Sequence, residues 1–188
     1  MRVSGGQARG IPLTVPKGAA VRPATDGMRQ AVFSSLGARV TGTRFWDLFA
    51  GSGAYGLEAL SRGAGAGVFV EKNARVAECL RLNLAAVNRC LGERPVDVEV
   101  LSCDALTWTP PGGVAAADLV FIDPPYELVP RAAPVLFARL AAALAAKPEA
   151  LIVFEMPGDM TLSPPGWTCL KRLGRGAHQP TAVFFRRG

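Results

Sequence analysis

Metal-binding and disulfide chemistry have little to work with in this chain. It has one histidine, His178, and four cysteines (Cys79, Cys90, Cys103, Cys169) with no CxxC pair among them. Structural metal sites need clustered ligands, so no metal is expected, and the cysteines read as reduced, small core residues. Long hydrophobic runs are missing as well: none reaches the roughly 18 residues a membrane span needs. The opening MRVSGGQARG lacks the apolar stretch of a signal peptide, so the expected location is cytoplasmic. With 49% hydrophobic and 19% charged residues, the composition excludes a disordered chain.

Acidic residues are scarce at both ends. Residues 1–44 hold Arg2, Arg9, Lys17, Arg22, Arg29, Arg39 and Arg44 against Asp26 alone, and residues 171–188 hold five basic side chains and no acid. The middle of the chain is acidic on balance. A +6 chain with basic flanks is suited to a polyanion held at those flanks. A length of 188 residues suits a single domain, 1–188, here divided into a basic N-terminal extension (1–40) and a core (41–188).

What the chain does contain is an alternation of apolar runs and helical stretches. The runs are RFWDLFA (44–50), GVFVEK (67–72), VDVEVLSCDA (96–105), ADLVFIDPPY (117–126) and ALIVFEM (150–156). Between them lie LEALSRG ending at Gly63, NARVAECLRLNLAAVN (73–88) and PRAAPVLFARLAAALAA (130–146). Val76, Leu80, Leu84 and Val87 share one face of the second stretch. Unalternating apolar runs separated by helices predict strands buried on both faces of a parallel sheet. WTCLKRLGR (167–175) and TAVFFRRG (181–188) predict a closing antiparallel hairpin. Residues 1–26 read as two short strands, MRVSG and IPLTVP. They lead into a helix from about Gly27 to Leu36 with Asp26 as its cap.

Gly51-Ser52-Gly53-Ala54-Tyr55-Gly56 fits GxGxxG between the first strand and its helix, and Glu71 ends the next strand. Such glycines admit a ligand close to the backbone, and the carboxylate can take both hydroxyls of a ribose. The loop alone admits a dinucleotide or S-adenosylmethionine (SAM). Asp47, four residues before Gly51, favours SAM, because a carboxylate there repels a pyrophosphate and suits an amino group and a sulfonium. Its bland alternative is a buried carboxylate that caps backbone amides. Asp104, after the third strand, either faces the adenine or caps a turn.

FIDPPY (121–126) places Asp123 at the carboxyl end of the fourth strand, beside the glycine loop. The amino group of a purine is a poor nucleophile because its lone pair is delocalised. If Asp123 and the Pro124 carbonyl accept its two hydrogens, the lone pair is aimed at a methyl donor, and positioning and electrostatics do the rest. Proline fixes the backbone that presents this carbonyl. Tyr126 offers a flat face for an extruded base.

DLFAGSGAYGLEALSRGA, VEKN and FIDPPY together resemble the RsmD family of bacterial SAM-dependent methyltransferases, and MRVSGGQARGIPLTVP and RPATDGMRQAVFSSL resemble its N-terminal segments. The resemblance implies a Rossmann-like class I methyltransferase: a mostly parallel seven-stranded sheet with an antiparallel C-terminal hairpin and a short N-terminal hairpin and helix. It implies methylation of the 2-amino group of a guanine in small-subunit (16S) ribosomal RNA. The implied SAM contacts are Asp47, Gly51, Gly53, Glu71 and Asp104, with Asp123, Pro124 and Tyr126 at the acceptor. Arg22, Thr25, Asp26 and Arg29 match the N-terminal motif and are candidates for RNA contact or active-site closure. Ala24, Gly27 and Gln30 depart from the family's Thr, Arg and Glu at those positions. The expected partner is ribosomal RNA or the small ribosomal subunit, with no membrane and no metal, and nothing demands more than a monomer.

Three other readings are separable. An enzyme acting on adenine in DNA or on a protein amide shares the acceptor motif, though the amide enzymes usually open it with Asn. A non-catalytic RNA-binding assembly factor would fail to bind SAM. A nicotinamide-dependent oxidoreductase is disfavoured by Asp47.

Overall fold

Seven strands form one sheet in the order β3-β2-β1-β4-β5-β7-β6. The computed structural model describes residues 1–16, 26–92, 96–110, 115–174, 176 and 179–188. Helix α1 (Asp26–Leu36) runs into a 3-10 turn, Gly37–Val40. Then come β1 (Arg44–Leu48), α2 (Ala54–Ser61), β2 (Ala66–Val70), α3 (Ala74–Leu91), β3 (Asp97–Leu101) and β4 (Leu119–Ile122). A short 3-10 turn at Tyr126–Leu128 leads to α4 (Val129–Ala143), followed by β5 (Leu151–Pro157), β6 (Trp167–Leu173) and β7 (Pro180–Arg187). Strands β1 to β5 are parallel, and β7 inserts antiparallel between β5 and β6.

This is the expected architecture, with local differences that have physical causes. The first apolar run stops at Leu48 because Phe49 takes a positive φ of 65°, which breaks the extended backbone. Helix α3 outlasts its predicted end by three residues, stopping at Leu91 before Gly92, whose φ is also 65°. Its start is set by Asn73, whose side chain accepts from the Arg75 and Val76 amides at 3.0 and 3.3 Å. Burial on both faces holds for β1, β2, β4 and β5 and fails for β3. That strand lies at the sheet edge, with Asp97 and Glu99 exposed, as edge strands commonly are. The two predicted N-terminal strands reduce to one bridge, Arg2 to Pro12, flanked by Val3 N–H donating to Ile11 and Leu13 N–H to Met1. Asp26 is the first residue of α1 and not a residue ahead of it; among the described residues its carboxylate accepts from Arg29 Nη2, at 2.7 Å.

Alternation along the strands divides the interior into two layers. Phe45, Phe69 and Phe121 point to the side covered by α1, α2 and α3, where Phe33, Leu57 and Leu80 meet them. Trp46, Val120 and Phe154 point to the other side, against Leu136 and Phe137 of α4. Gly56 lets α2 lie close on the first layer: a Cβ there would stand 2.2 Å from Phe69 Cε1 and 2.6 Å from Phe45 Cε2.

The N-terminal extension is fastened to this scaffold. Ser4 donates to Glu58 through both its amide (2.7 Å) and its hydroxyl (2.8 Å), Ala8 N–H reaches Ser61 Oγ at 2.9 Å, and Thr14 N–H reaches Asn83 Oδ1 at 2.9 Å. Lys171 of β6 donates to Ser35 of α1, so the basic C-terminal strands adjoin the helix of the basic N-terminal segment.

Candidate active site

The loop between β1 and α2 is held open by three left-handed residues, Phe49 (φ 65°), Gly51 (φ 54°) and Gly53 (φ 88°). Glycine is needed at 53 on two counts. The backbone angle disfavours any side chain, and a Cβ would sit 2.2 Å from Leu80 Cδ1. Glu71, just past β2, accepts from the Gly51 amide at 2.9 Å and the Asn73 amide at 2.7 Å. One oxygen therefore fastens the glycine loop and the other fastens the start of α3. Each oxygen keeps a further lone pair for a ligand hydroxyl.

Asp47 is buried in β1 and accepts from the Gly56 amide at 2.9 Å, near the start of α2. Burial is the main cause that lifts its carboxyl from 3.8 to about 7. The neighbouring Glu71 adds to the rise, and the Gly56 bond opposes it. The amide-capping role is thus present, and it leaves a buried carboxyl facing the loop. Asp104 caps the turn after β3 through the Leu106 amide (2.9 Å) and pairs with Lys72 Nζ at 2.8 Å. Those bonds hold its carboxyl below the ordinary range, the Lys72 bond foremost.

Asp123 follows the last residue of β4. Asp47 lies opposite Phe121 on β1, and Ile122 lies opposite Phe154 on β5. Continuing that register puts Asp123 beside Glu155, and alternation puts Asp47, Asp123 and Glu155 on the α2 side of the sheet. Tyr55 confirms the face: its ring stacks on Phe121 with centroids 5.3 Å apart, and its hydroxyl donates to Glu155 Oε2 at 2.7 Å. Burial, then the charges of Glu155 and Asp47, push the Asp123 carboxyl well above the ordinary carboxylate range. Glu155 is also raised by burial, with Tyr55 and Arg29 acting in the other direction. Past Asp123, Pro124 is buried and Pro125 exposed. The bond that closes the following turn, Leu128 N–H to Pro125 O at 2.8 Å, uses the carbonyl of the second proline and not the first. Tyr126 is half-buried at the start of that turn.

Of the N-terminal candidates, Arg22 and Thr25 lie outside the described residues. Arg29 is fully buried. Its Nη2 donates to Asp26 and to the Arg2 carbonyl, and its Nε to Glu58 Oε2 at 3.3 Å. It therefore presents no guanidinium to RNA; its bonds tie α1 to α2 and to the N-terminal extension, a structural role that the resemblance did not imply. Asp26 is exposed but held by Arg29. Two residues near the site went unread in the sequence, Tyr55 and Glu155. Both carried a signal: a tyrosine inside the glycine loop, and an acid inside the otherwise apolar run ALIVFEM.

An apolar cavity of about 320 Å³, lined by Leu48, Ala105, Trp108, Leu136 and Arg139, opens on the α4 side and contains none of these carboxylates. Among the described residues, no group of three or more His, Cys, Asp or Glu is arranged to hold a metal ion, and no helix is long and apolar enough to cross a membrane.

Residues 1–183 match the family described as Conserved hypothetical protein 95. The chain is 33% identical over 177 residues to ribosomal RNA small subunit methyltransferase D of Haemophilus influenzae, covering 94% of this chain and 89% of that protein. The chain belongs to this methyltransferase D family. The protein of that name from Escherichia coli K12 is 38% identical over 127 residues, a match that spans 68% of this chain and 61% of the relative's length. The solved structure of the putative methyltransferase yhhF from Escherichia coli superposes with a TM-score of 0.82 at 28% identity, covering 100% of this chain and 97% of that one. The seven-stranded order with its inserted antiparallel β7 is the Rossmann-like class I methyltransferase fold shared with that relative.

Proposed function

We propose that the protein transfers a methyl group from SAM to the exocyclic 2-amino group of a guanine in 16S ribosomal RNA. The observation that carries this reading is the placement of Asp123-Pro124 beside the glycine loop. Both stand at the carboxyl ends of adjacent strands, β4 and β1, which supports an acceptor-binding role for the first and a donor-binding role for the second. Family membership supports the substrate, and the basic flanks that meet at α1 and β6 support a polyanionic partner.

The residues present fit SAM. Gly51 and Gly53 leave the backbone approachable, Glu71 retains lone pairs for ribose hydroxyls, and the buried Asp47 is suited to a cationic group. Lys72 holds Asp104 at the rim on the β3 side, where its remaining acceptor capacity suits an exocyclic amine. When bound, SAM supplies an electrophilic methyl carbon attached to a sulfonium.

The chain's own part is to bind and orient. Asp123 and the Pro124 carbonyl accept the two amino hydrogens, which frees the nitrogen lone pair from the ring and fixes its direction. Tyr126 stacks on the base. Asp123 takes up the proton that the nitrogen sheds, a task suited to a carboxyl whose proton affinity is raised by its surroundings.

The test is methyl transfer from labelled SAM to small ribosomal subunits lacking their native guanine methylation. Naked 16S RNA, DNA and protein fractions run beside them. Label confined to the RNA supports the reading. Label in DNA or protein, or none at all despite SAM binding, contradicts it.

A further inference from the structure

The acceptor motif does not end at Asp123. Three carboxylates from three neighbouring strands converge on the α2 face: Asp47 on β1, Asp123 after β4 and Glu155 on β5. Among side chains, Glu155 is an unusual choice for that place. It lies in the most buried part of β5, between Phe154 and Met156, and is only 3% exposed. A neutral or apolar residue would be far less costly there unless the charge has a use. Its fixed partner is Tyr55, whose hydroxyl donates at 2.7 Å and whose ring stacks on Phe121 and lies near Phe33. Across β7 it faces Ala182, which brings no charge. Arg29 of α1 brings a buried cation to this side. It is buried and anchored to Glu58, and among the described residues its Nη1 has no hydrogen-bond partner. By register Asp123 lies beside Glu155, and Asp47 lies on the same face of β1 two residues back along the strand; Tyr55 bonds Glu155, and the charge of Arg29 is felt there.

We infer that Glu155 is a positioning residue for the methyl-transfer reaction: held by Tyr55, it sets the proton affinity of Asp123 and so equips that carboxylate to receive the proton shed by the acceptor amine. This rests on the role given to Asp123 above. Once methylated, the amino nitrogen bears one proton more than the product. An ordinary carboxylate is a weak base for it. A half-buried carboxylate beside a second, buried carboxylate holds a proton more tightly, because two like charges that close do not both ionise freely. After turnover the proton leaves Asp123 for solvent, and the carboxylate is restored. The Tyr55 hydroxyl and Arg29 both favour the ionised form of Glu155 against the effect of burial, and it is that form whose charge acts on Asp123.

The direct test needs no substrate. Carboxyl-carbon NMR follows the titration of Asp123 in SAM-free protein, in the wild type, in Glu155→Gln and in Tyr55→Phe. Glu155→Gln removes the neighbouring charge and is expected to lower the Asp123 midpoint by about one pH unit or more. Tyr55→Phe keeps the ring on Phe121 but removes the donor, so Glu155 should titrate higher and Asp123 lower than in the wild type. The acid limb of the methyl-transfer rate should move to lower pH in both variants. Should Glu155→Gln not fold, Tyr55→Phe gives the same reading. An Asp123 midpoint that stays in place in every variant that folds overturns the inference. A midpoint that moves while no RNA is methylated leaves the coupling intact and counts against the proposed reaction alone.

Discussion

Arg29 Nε donates to Glu58 Oε2 at 3.3 Å with both side chains fully buried, and the same carboxylate receives the Ser4 amide at 2.7 Å. One buried acid on α2 thereby holds α1 and the N-terminal extension against the sheet. Arg62 completes the set from the next turn, at 2.8 Å to Glu58 Oε1. Removing the arginine leaves Glu58 to Arg62 and Ser4, takes the donor from Asp26 and the Arg2 carbonyl, and empties a fully buried space. Arg29→Ala is expected to destabilise the fold by about 3–5 kcal/mol. Urea unfolding measures it. The more conservative Arg29→Lys should lose part of that amount, since an ammonium cannot serve Asp26, Glu58 and the Arg2 carbonyl with one rigid fork.

Gly56→Ala tests the close approach of α2 to the sheet. The added methyl meets two aromatic rings, Phe69 and Phe45, that are themselves buried and have nowhere to move. The expected cost is about 1–3 kcal/mol despite the better helix propensity of alanine. A variant as stable as the wild type would mean that the rings yield freely.

With Asp47 at the cofactor's cationic group, as proposed, cofactor affinity depends on pH. Its carboxyl, at about 7, is largely protonated at mildly acidic pH, whereas a cationic ligand favours the ionised form. SAM binding should therefore weaken as pH falls below about 7, approaching tenfold per pH unit, and should release protons. Calorimetry in buffers of different ionisation enthalpy reads both. For stability without ligand the sign is opposite to that of a salt-bridged acid. The unfolded chain ionises this group near 3.8 and the folded chain near 7, so its contribution to stability declines as pH rises between those values. Asp47→Asn should flatten both dependences.

RNA affinity should fall steeply with salt. Arg2, Arg9 and Arg39 near the N-terminus are exposed, as are Lys171, Arg172 and Arg187 at the C-terminal end. If six phosphates were neutralised, affinity would drop about a thousandfold between 50 and 200 mM salt. Filter binding across that range decides it, and a flat response would remove the polyanion from the reading.

Most of the sheet was legible because central parallel strands are long apolar runs, and glycine, asparagine and proline mark where they and their helices stop. Edge strand β3 was misjudged as buried, since its composition, VDVEV, does not say which strand has only one neighbour. The layout of the candidate site was readable where it is local in sequence: the loop at Gly51–Gly56, Glu71 after β2, and Asp123-Pro124 after β4, all at the ends of neighbouring strands. Arg29 and Glu155 were not. Arg29 looks like a phosphate ligand until the fold places it 29 residues away from Glu58 in sequence yet in contact with it. Glu155 gains its partner only through a pairing with Tyr55 100 residues upstream. An acid inside an apolar run marks Glu155 as unusual, but a partner so far away in sequence leaves no local pattern.

The most direct measurement compares wild type and Asp123→Ala on unmethylated small ribosomal subunits, with SAM affinity and the methylated nucleoside determined in parallel. The expected result is 2-methylamino guanine from the wild type, and none from a variant that still binds SAM. Near-normal turnover by Asp123→Ala, or a methyl group found on any other atom, would contradict the placement of the acceptor amine at Asp123-Pro124.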